Sequence, residues 1–220
     1  MLEDEAGRAE LQRLGARSLP VVSRGDRFVF AQVIRDVVEF LGLDEDTAPQ
    51  LSARELAARY GAILETALRL TRQMPDARLA DQLPNRPRSW RVLLHHVFQI
   101  PAAYLDFEEG RGAYTAENLL ATPPEDMRTV AEIAAFGEAV RGRFKAWSER
   151  AAGEDFSHVV QAYFGPTTRH ELFERTVWHS TQHVRQVASL LEQAGVAPDR
   201  PLTPDMIRGL PLTEKIWDET

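Results

Sequence analysis

Residues 168–195 read TRHELFERTVWHSTQHVRQVASLLEQAG, and their apolar positions recur at the spacing of a long amphipathic helix. Thr168 and Glu171 form a capping-box pattern that marks the start of this helix. The apolar residues of its inward stripe are Leu172, Val187 and Leu190. His179 and His183 fall on the same stripe, four residues apart. Both imidazoles are therefore expected to face the interior side by side, close enough to share one metal ion.

Three further amphipathic helices are predicted before this stretch. Two of them begin with capping boxes, at Ser52-Ala-Arg-Glu55 and at Thr129-Val-Ala-Glu132, and another runs from about Ser89 to Phe107. Four helices that each have one apolar face bury those faces best against one another. We therefore predict a mainly α fold, with a four-helix bundle over residues 52–195 and no strand from Ser52 onward.

The regions that flank the predicted bundle have different patterns. Residues 1–43 read helix, strand, strand, helix, with β-rich runs at 18–22 and 27–30 on either side of a turn. Residues 196–220 form a tail in which Pro204 opens a short helix. We therefore expect a small N-terminal α/β segment, the bundle and a C-terminal tail.

The second helix of the bundle supplies a third candidate ligand. His96 lies on its inward-facing apolar stripe, whereas His95 falls on a polar line and is expected outside. Imidazoles that are buried without partners are costly, and one metal ion held by His96, His179 and His183 would satisfy all three. Three protein ligands leave positions open for water or substrate, which is typical of a reactive site. The alternative is that His179 and His183 form a hydrogen-bonded polar pair in the core.

The composition limits the chemistry of such a site. The chain has no cysteine, which excludes disulfides, thiolate ligands and a thiol nucleophile on this chain. A net charge of −7, with arginines scattered among acids, argues against nucleic acid as a partner. No apolar run approaches the roughly 18 residues that a membrane span needs. The acidic stretch from Met1 to Glu5 lacks the pattern of a secretion signal, so a cytoplasmic location is expected.

Few residues near the histidines could transfer a proton. Ser180 follows His179, so the glutamate base of the metalloprotease HExxH motif is absent. Helix spacing leaves Tyr104, Glu174 and Gln186 as the catalytic candidates.

Three other residues give structural expectations. His158 and His170 are expected away from the metal, with His170 facing solvent in the first turn of its helix. Pro101 falls inside the second helix, where it cannot donate a hydrogen bond to the Val97 carbonyl. We therefore expect a bend near Val97 that widens the space beside the histidines.

Three segments give the chain a family resemblance: SWRVLLHH at 89–96, GPTTRHEL at 165–172 and HSTQHVRQ at 179–186. Together they resemble the DinB superfamily, also called the DinB/YfiT-like metalloenzymes, over about residues 52–195. The resemblance implies a four-helix bundle in up-up-down-down order, a three-histidine site for zinc or nickel, and a homodimer. Members with known activity use the ion to activate a small thiol, as mycothiol-dependent isomerases and bacillithiol S-transferases do.

Residues 1–43 resemble the second half of a glutaredoxin or thioredoxin fold. Leu19-Pro20-Val21-Val22 stands where that fold has its cis-proline and a strand, and residues 26–31 match the following strand. The first half, with its CxxC motif, is missing, so the resemblance does not imply redox activity. Either these elements pack on the bundle, or their strands pair with a second subunit, or the native protein starts upstream of Met1 and carries the missing strands.

Two functions from different classes follow. The first is a metal-dependent transferase or hydrolase that acts on a small molecule with a low-molecular-weight thiol or with metal-bound water. The second is a non-catalytic metal-binding module whose glutaredoxin-like segment mediates dimerisation or partner binding.

Overall fold

The computed structural model describes residues 5–16, 20–31, 33–84 and 86–217. Contacts divide the chain into two compact units, residues 1–48 and 49–219. Ser18 and Leu19, which belong to the first predicted strand, lie outside the described residues.

The first unit has the predicted order of helix, strand, strand, helix. Its elements are α1 (Glu5–Leu14), β1 (Val21–Arg24), β2 (Arg27–Phe30) and α2 (Ile34–Leu41). β1 and β2 pair antiparallel, with Val22 opposite Val29. No residue described in this unit is buried, and Phe30, Ile34 and Leu43 are exposed. These short elements remove little apolar surface from water, as is usual for so small a unit.

The second unit is mainly helical, as predicted. Its helices are α3 (Ala53–Gln73), α4 (Trp90–Glu108), α5 (Ala116–Leu119), α6 (Val130–Arg150), α7 (Arg169–Gln193) and α8 (Pro204–Ile207). The long helices α3 and α4 each pack against both α6 and α7, and the buried apolar side chains of these four helices form the core. Within the described ranges, no helix combines the length and the apolar character needed to cross a membrane.

Capping residues define where the long helices begin. The three predicted capping boxes form at Ser52, Thr129 and Thr168, where the hydroxyl accepts from an amide three residues on and a glutamate bonds back. Ser89 caps α4 by accepting from the Val92 amide. Because each start is defined, the direction in which every later side chain of the helix points is defined as well.

Two hairpins contradict the expectation that no strand follows Ser52. β3 (Gln82–Leu83) pairs with β4 (Arg86–Ser89), and β5 (Val159–Ala162) pairs with β6 (Gly165–Thr168), both antiparallel. β4 ends at the residue that caps α4, and β6 ends at the residue that caps α7, so each hairpin leads directly into a long helix. The strands have two to four residues, and β4 and β6 each contain a proline. The alternation of apolar and polar residues that marks a strand is therefore too short to recognise in the sequence.

A hydrogen bond between α4 and α7 compensates for Pro101. α4 continues through this proline to Glu108, and the expected bend near Val97 stays a prediction. Pro101 has no amide hydrogen, so the Val97 carbonyl lacks its usual partner within the helix. The hydroxyl of Ser180 on α7 donates to this carbonyl at 3.0 Å. The bond therefore joins α4 to α7 one residue away from a predicted metal ligand on each helix.

Replacing Ser180 with alanine is expected to lower the free energy of unfolding by about 1–3 kcal/mol, the usual cost of a buried carbonyl left without a donor. Ser180 is fully buried, so water does not replace the hydroxyl. Urea unfolding of the metal-free protein measures the change. Thr181→Val is the matched control, because the Thr181 hydroxyl bonds to the Val177 carbonyl within its own helix. Equal losses in the two variants would contradict a special role for the bond between helices.

Candidate metal site

The structure brings His96, His179 and His183 together in the second unit. One ring nitrogen of each lies within 4.8 Å of those of the other two. Their ring centroids are 5.0–5.4 Å apart. In the part of the chain that the structure describes, no other three histidine, aspartate or glutamate side chains come together in this way. We call these three residues the histidine triad.

Burial favours the neutral form of His96 and His179. His96 and His183 are buried, and His179 is partly covered. Burial, and then the nearby His183, lowers the pKa of His96 to about 2. Burial is also the main reason why the pKa of His179 lies well below its usual value, with the other two histidines adding to it. Neutral imidazoles have a free lone pair, which is the form that binds a metal ion.

Two arginines place positive charge beside the triad. After burial and the neighbouring histidines, the charges of Arg175 and Arg88 further lower the pKa of His179. Arg175 lies one helical turn before His179, and its guanidinium stands over the rings of Phe164 and Trp178 at 4.7 and 5.5 Å. Positive charge at this position raises the electrostatic potential beside the triad, which attracts anions.

His95 is buried, which contradicts the expectation that it lies outside. Its ring stacks on Phe136 of α6 at 5.0 Å, and it is not a member of the triad. The polar line of α4 is covered by a connecting segment, since Arg91 donates to the carbonyls of Pro124 and Met127. Helical periodicity distinguishes His96 from its neighbour but does not show that a loop covers the polar face.

His170 is half-buried, which contradicts the expectation that it faces solvent. Its Nε2 lies 2.8 Å from the carbonyl oxygen of Leu51, the residue before the cap of α3. This contact joins residues far apart in the sequence, so the pattern of one helix does not reveal it. His158 is exposed and lies outside the triad.

Of the three catalytic candidates, only Gln186 is seen in contact with the triad. Its Oε1 lies 2.7 Å from Nδ1 of His183. Tyr104 lies eight residues after His96, about 12 Å along α4, and its ring stacks on Phe173 in the aromatic core. The structure therefore places Tyr104 away from the position where a substrate would meet the triad.

Glu174 lies on a different face of α7 from the triad. It precedes His179 by five residues, which corresponds to about 140° around the helix. Burial, and then the neighbouring Glu171, raises the pKa of Glu174 to about 7. The carboxyl group is suited to proton transfer near neutral pH, but its position does not serve the triad.

The sequence model of the DinB family matches residues 55–207. This range runs from α3 to α8 and includes the whole triad. It starts close to residue 52, where the resemblance was expected to begin, and extends past residue 195, where it was expected to end. No curated protein matches the chain.

Proposed function

This chain belongs to the DinB family, and we propose that its histidine triad binds a divalent metal ion, zinc or nickel, as the cofactor of an enzyme. We further propose that α3, α4, α6 and α7 form a four-helix bundle in the up-up-down-down order of that family. The observation that carries the proposal is that ring nitrogens of three histidines from two helices lie within 4.8 Å of one another. Burial lowers the pKa of two of them, His96 and His179, and so favours the form that binds a metal ion.

The donor set fits such an ion. Bonds of about 2.0–2.1 Å from zinc to imidazole place two ligand nitrogens about 3.4 Å apart in a tetrahedral site. The triad nitrogens lie within 4.8 Å of one another, so their separations exceed this spacing by at most about 1.4 Å. Imidazole suits zinc and nickel, and no cysteine is present to favour softer metals.

The proposed reaction is transfer or hydrolysis that uses a low-molecular-weight thiol or water as the nucleophile. When bound, the ion would lower the pKa of that nucleophile and polarise the molecule that it attacks. Arg88 and Arg175 add positive charge beside the triad, and this charge stabilises the anionic form of a thiol or water. Gln186 holds His183 but does not exchange protons at neutral pH. The proton released by the nucleophile therefore passes to solvent or to the second substrate.

A second candidate function rests on the first unit, which has the element order expected of half a glutaredoxin fold. We propose that it binds a second copy of the chain and so contributes to a homodimer. In support, no residue described in this unit is buried, and Ile34 is 63% exposed. Exposed apolar residues beside a two-stranded sheet favour association with another chain. In this case the protein is a metal-binding module that need not be catalytic.

Metal analysis followed by a thiol-consumption assay tests the proposal. Protein purified without chelators is expected to contain about one divalent ion per chain, since one triad provides one site. The metal-loaded protein is then incubated with a mixture of low-molecular-weight thiols and an electrophile, with chelator-treated protein as the control. Metal-dependent loss of one thiol supports the enzyme. A bound ion without consumption of any thiol or hydrolysis of the electrophile favours the binding module, and the absence of any ion contradicts both.

A further inference from the structure

The C-terminal segment, residues 213–217, lies along α7 close to the triad. Gln182 donates through Nε2 to the carbonyls of Lys215 and Ile216, at 3.1 and 2.9 Å. Arg185 donates to the carbonyls of Thr213 and Glu214, at 2.6 and 2.9 Å. These bonds use main-chain carbonyls, so they hold the path of the segment against the helix whatever its side chains are.

The end of this segment is attached to the next turn of α7. The indole Nε1 of Trp217 donates to the hydroxyl of Ser189 at 3.2 Å, and the Trp217 ring packs against the core of the unit. The carbonyl of Ile216 is therefore held in place by bonds made on both sides of it along the segment.

Gln186 connects this carbonyl to the triad. Its Nε2 donates to the Ile216 oxygen at 2.9 Å, and its Oε1 lies 2.7 Å from Nδ1 of His183. The two contacts use opposite sides of one amide group.

The Ile216 carbonyl decides which way the amide of Gln186 points. A carbonyl oxygen only accepts hydrogen bonds, so the NH2 group of the amide must face Ile216. The amide oxygen, which also only accepts, is then turned toward His183. A neutral histidine has one N–H and one lone pair, so Nδ1 must carry the hydrogen and Nε2 the lone pair.

We propose that Gln186, held by the C-terminal segment, is a positioning residue that keeps His183 in the tautomer with Nδ1 protonated and Nε2 free to bind the metal. Hydrogen bonds of this kind orient metal-bound histidines in many proteins. The inference rests on the proposed metal site for its purpose, but the tautomer itself is a property of the chain without metal.

The test uses three full-length variants in the metal-free and zinc-titrated states. Gln186→Leu keeps the approximate size of the side chain and removes both hydrogen bonds. Gln186→Glu keeps an acceptor for Nδ1–H of His183 but cannot donate to Ile216. Gln193→Leu is the matched control on the same helix, since the observed side-chain hydrogen bond of Gln193 goes to the hydroxyl of Ser189 and not to the triad.

The first measurement is the tautomer of His183 in the metal-free protein, from the ring nitrogen shifts in long-range ¹H–¹⁵N spectra at a pH where the ring is neutral. The wild type, Gln186→Glu and Gln193→Leu are expected to show one tautomer with Nδ1 protonated. Gln186→Leu is expected to show a mixture, because nothing then distinguishes the two nitrogens. A single Nδ1–H tautomer of unchanged population in Gln186→Leu, or the Nε2–H tautomer in the wild type, would overturn the proposal.

The second measurement is zinc affinity by chelator competition. Gln186→Leu is expected to bind about 10- to 100-fold more weakly than the wild type, the usual effect of removing such a partner. The zinc affinities of Gln186→Glu and Gln193→Leu are expected to stay within about tenfold of the wild type. If the Gln186 amide had a purely structural role, Gln186→Glu would instead lose as much affinity as Gln186→Leu. If the wild type binds neither zinc nor nickel, the proposed function fails, while the tautomer measurement still decides whether Gln186 orients His183.

Discussion

Replacing His183 with alanine is expected to weaken zinc binding by more than about 100-fold. The loss of a hydrogen-bond partner behind a metal-bound histidine already costs about 10- to 100-fold, and this change removes a ligand itself. Only His96 and His179 then remain as ligands, and among the described residues no carboxylate or further histidine forms a group of three with them. Competition with a chromophoric chelator at neutral pH measures the affinity.

Two other histidines provide matched controls for this experiment. His95→Ala removes a buried imidazole on the same helix as His96, and His158→Ala removes an exposed one. Neither residue belongs to the triad, so both variants are expected to bind zinc as the wild type does. His95→Ala is expected to be less stable, because the His95 ring stacks on Phe136, but that loss is independent of zinc. Comparable losses of affinity in all three variants would show that the histidines act on zinc only through the fold.

Protein stability gives an independent readout of the same site. A ligand that binds only the folded state raises the free energy of unfolding by about 2.7 kcal/mol when its concentration is 100 times Kd. We expect this gain with zinc in the wild type, in His95→Ala and in His158→Ala, and a gain below about 0.4 kcal/mol in His183→Ala at the same zinc concentration. Stabilisation of His183→Ala by zinc to the wild-type extent would contradict the assignment of the triad.

The choice of His96 rather than His95 follows from local sequence alone. Ser89 caps α4, and from that start the periodicity of the apolar residues directs His96 toward α7. The i, i+4 spacing of His179 and His183 places both rings on one face of α7 whatever the rest of the fold is. The three histidines could therefore be predicted to face the interior, because the capping residues and the apolar periodicity of each helix define where it begins and which face is buried.

The contacts that sequence patterns did not predict are those between distant parts of the chain. Ile216 reaches Gln186 across thirty residues, and Leu51 reaches His170 across more than a hundred. Neither contact alters the apolar periodicity of a helix, so no local sequence pattern predicts it. Pro101 is an instructive exception, because a proline inside a helix leaves one identifiable carbonyl without a donor. The sequence identifies Val97 as that carbonyl, but only the packing of α7 shows that Ser180 serves it.

A buried ion pair joins the end of α4 to the start of α7. Glu108 is the last residue of α4 and Arg169 the first of α7, with side chains only 4% and 11% exposed. Arg169 Nε donates to Oε1 of Glu108 at 2.9 Å, and Trp147 Nε1 donates to Oε2 at 3.0 Å. The Arg169 guanidinium also lies over the ring of Phe156 at 4.1 Å. Glu108 thus provides the acceptors for two buried donors on two other helices.

Replacing Glu108 with alanine is expected to lower the free energy of unfolding by about 3–5 kcal/mol, the usual cost of leaving one partner of a buried ion pair behind. Glu154, which lies 2.7 Å from Arg169, does not replace it, because the Glu154 side chain is 50% exposed. Urea unfolding of the metal-free protein measures the loss. Glu138→Ala is the control, since Glu138 pairs with arginines at the surface and such pairs contribute about 0–1 kcal/mol.

A change in this ion pair is expected to affect the stability of the protein but not its affinity for zinc. Arg169 precedes His179 by ten residues, about 15 Å along α7, so a change at Glu108 leaves the triad in place. Glu108→Ala is therefore expected to bind zinc with wild-type affinity while it is folded. A double change to Glu108→Leu and Arg169→Met should recover most of the lost stability, because apolar residues of similar volume often replace a buried ion pair without loss. If Glu108→Ala loses no more stability than Glu138→Ala, the buried pair is not what holds the ends of α4 and α7 together.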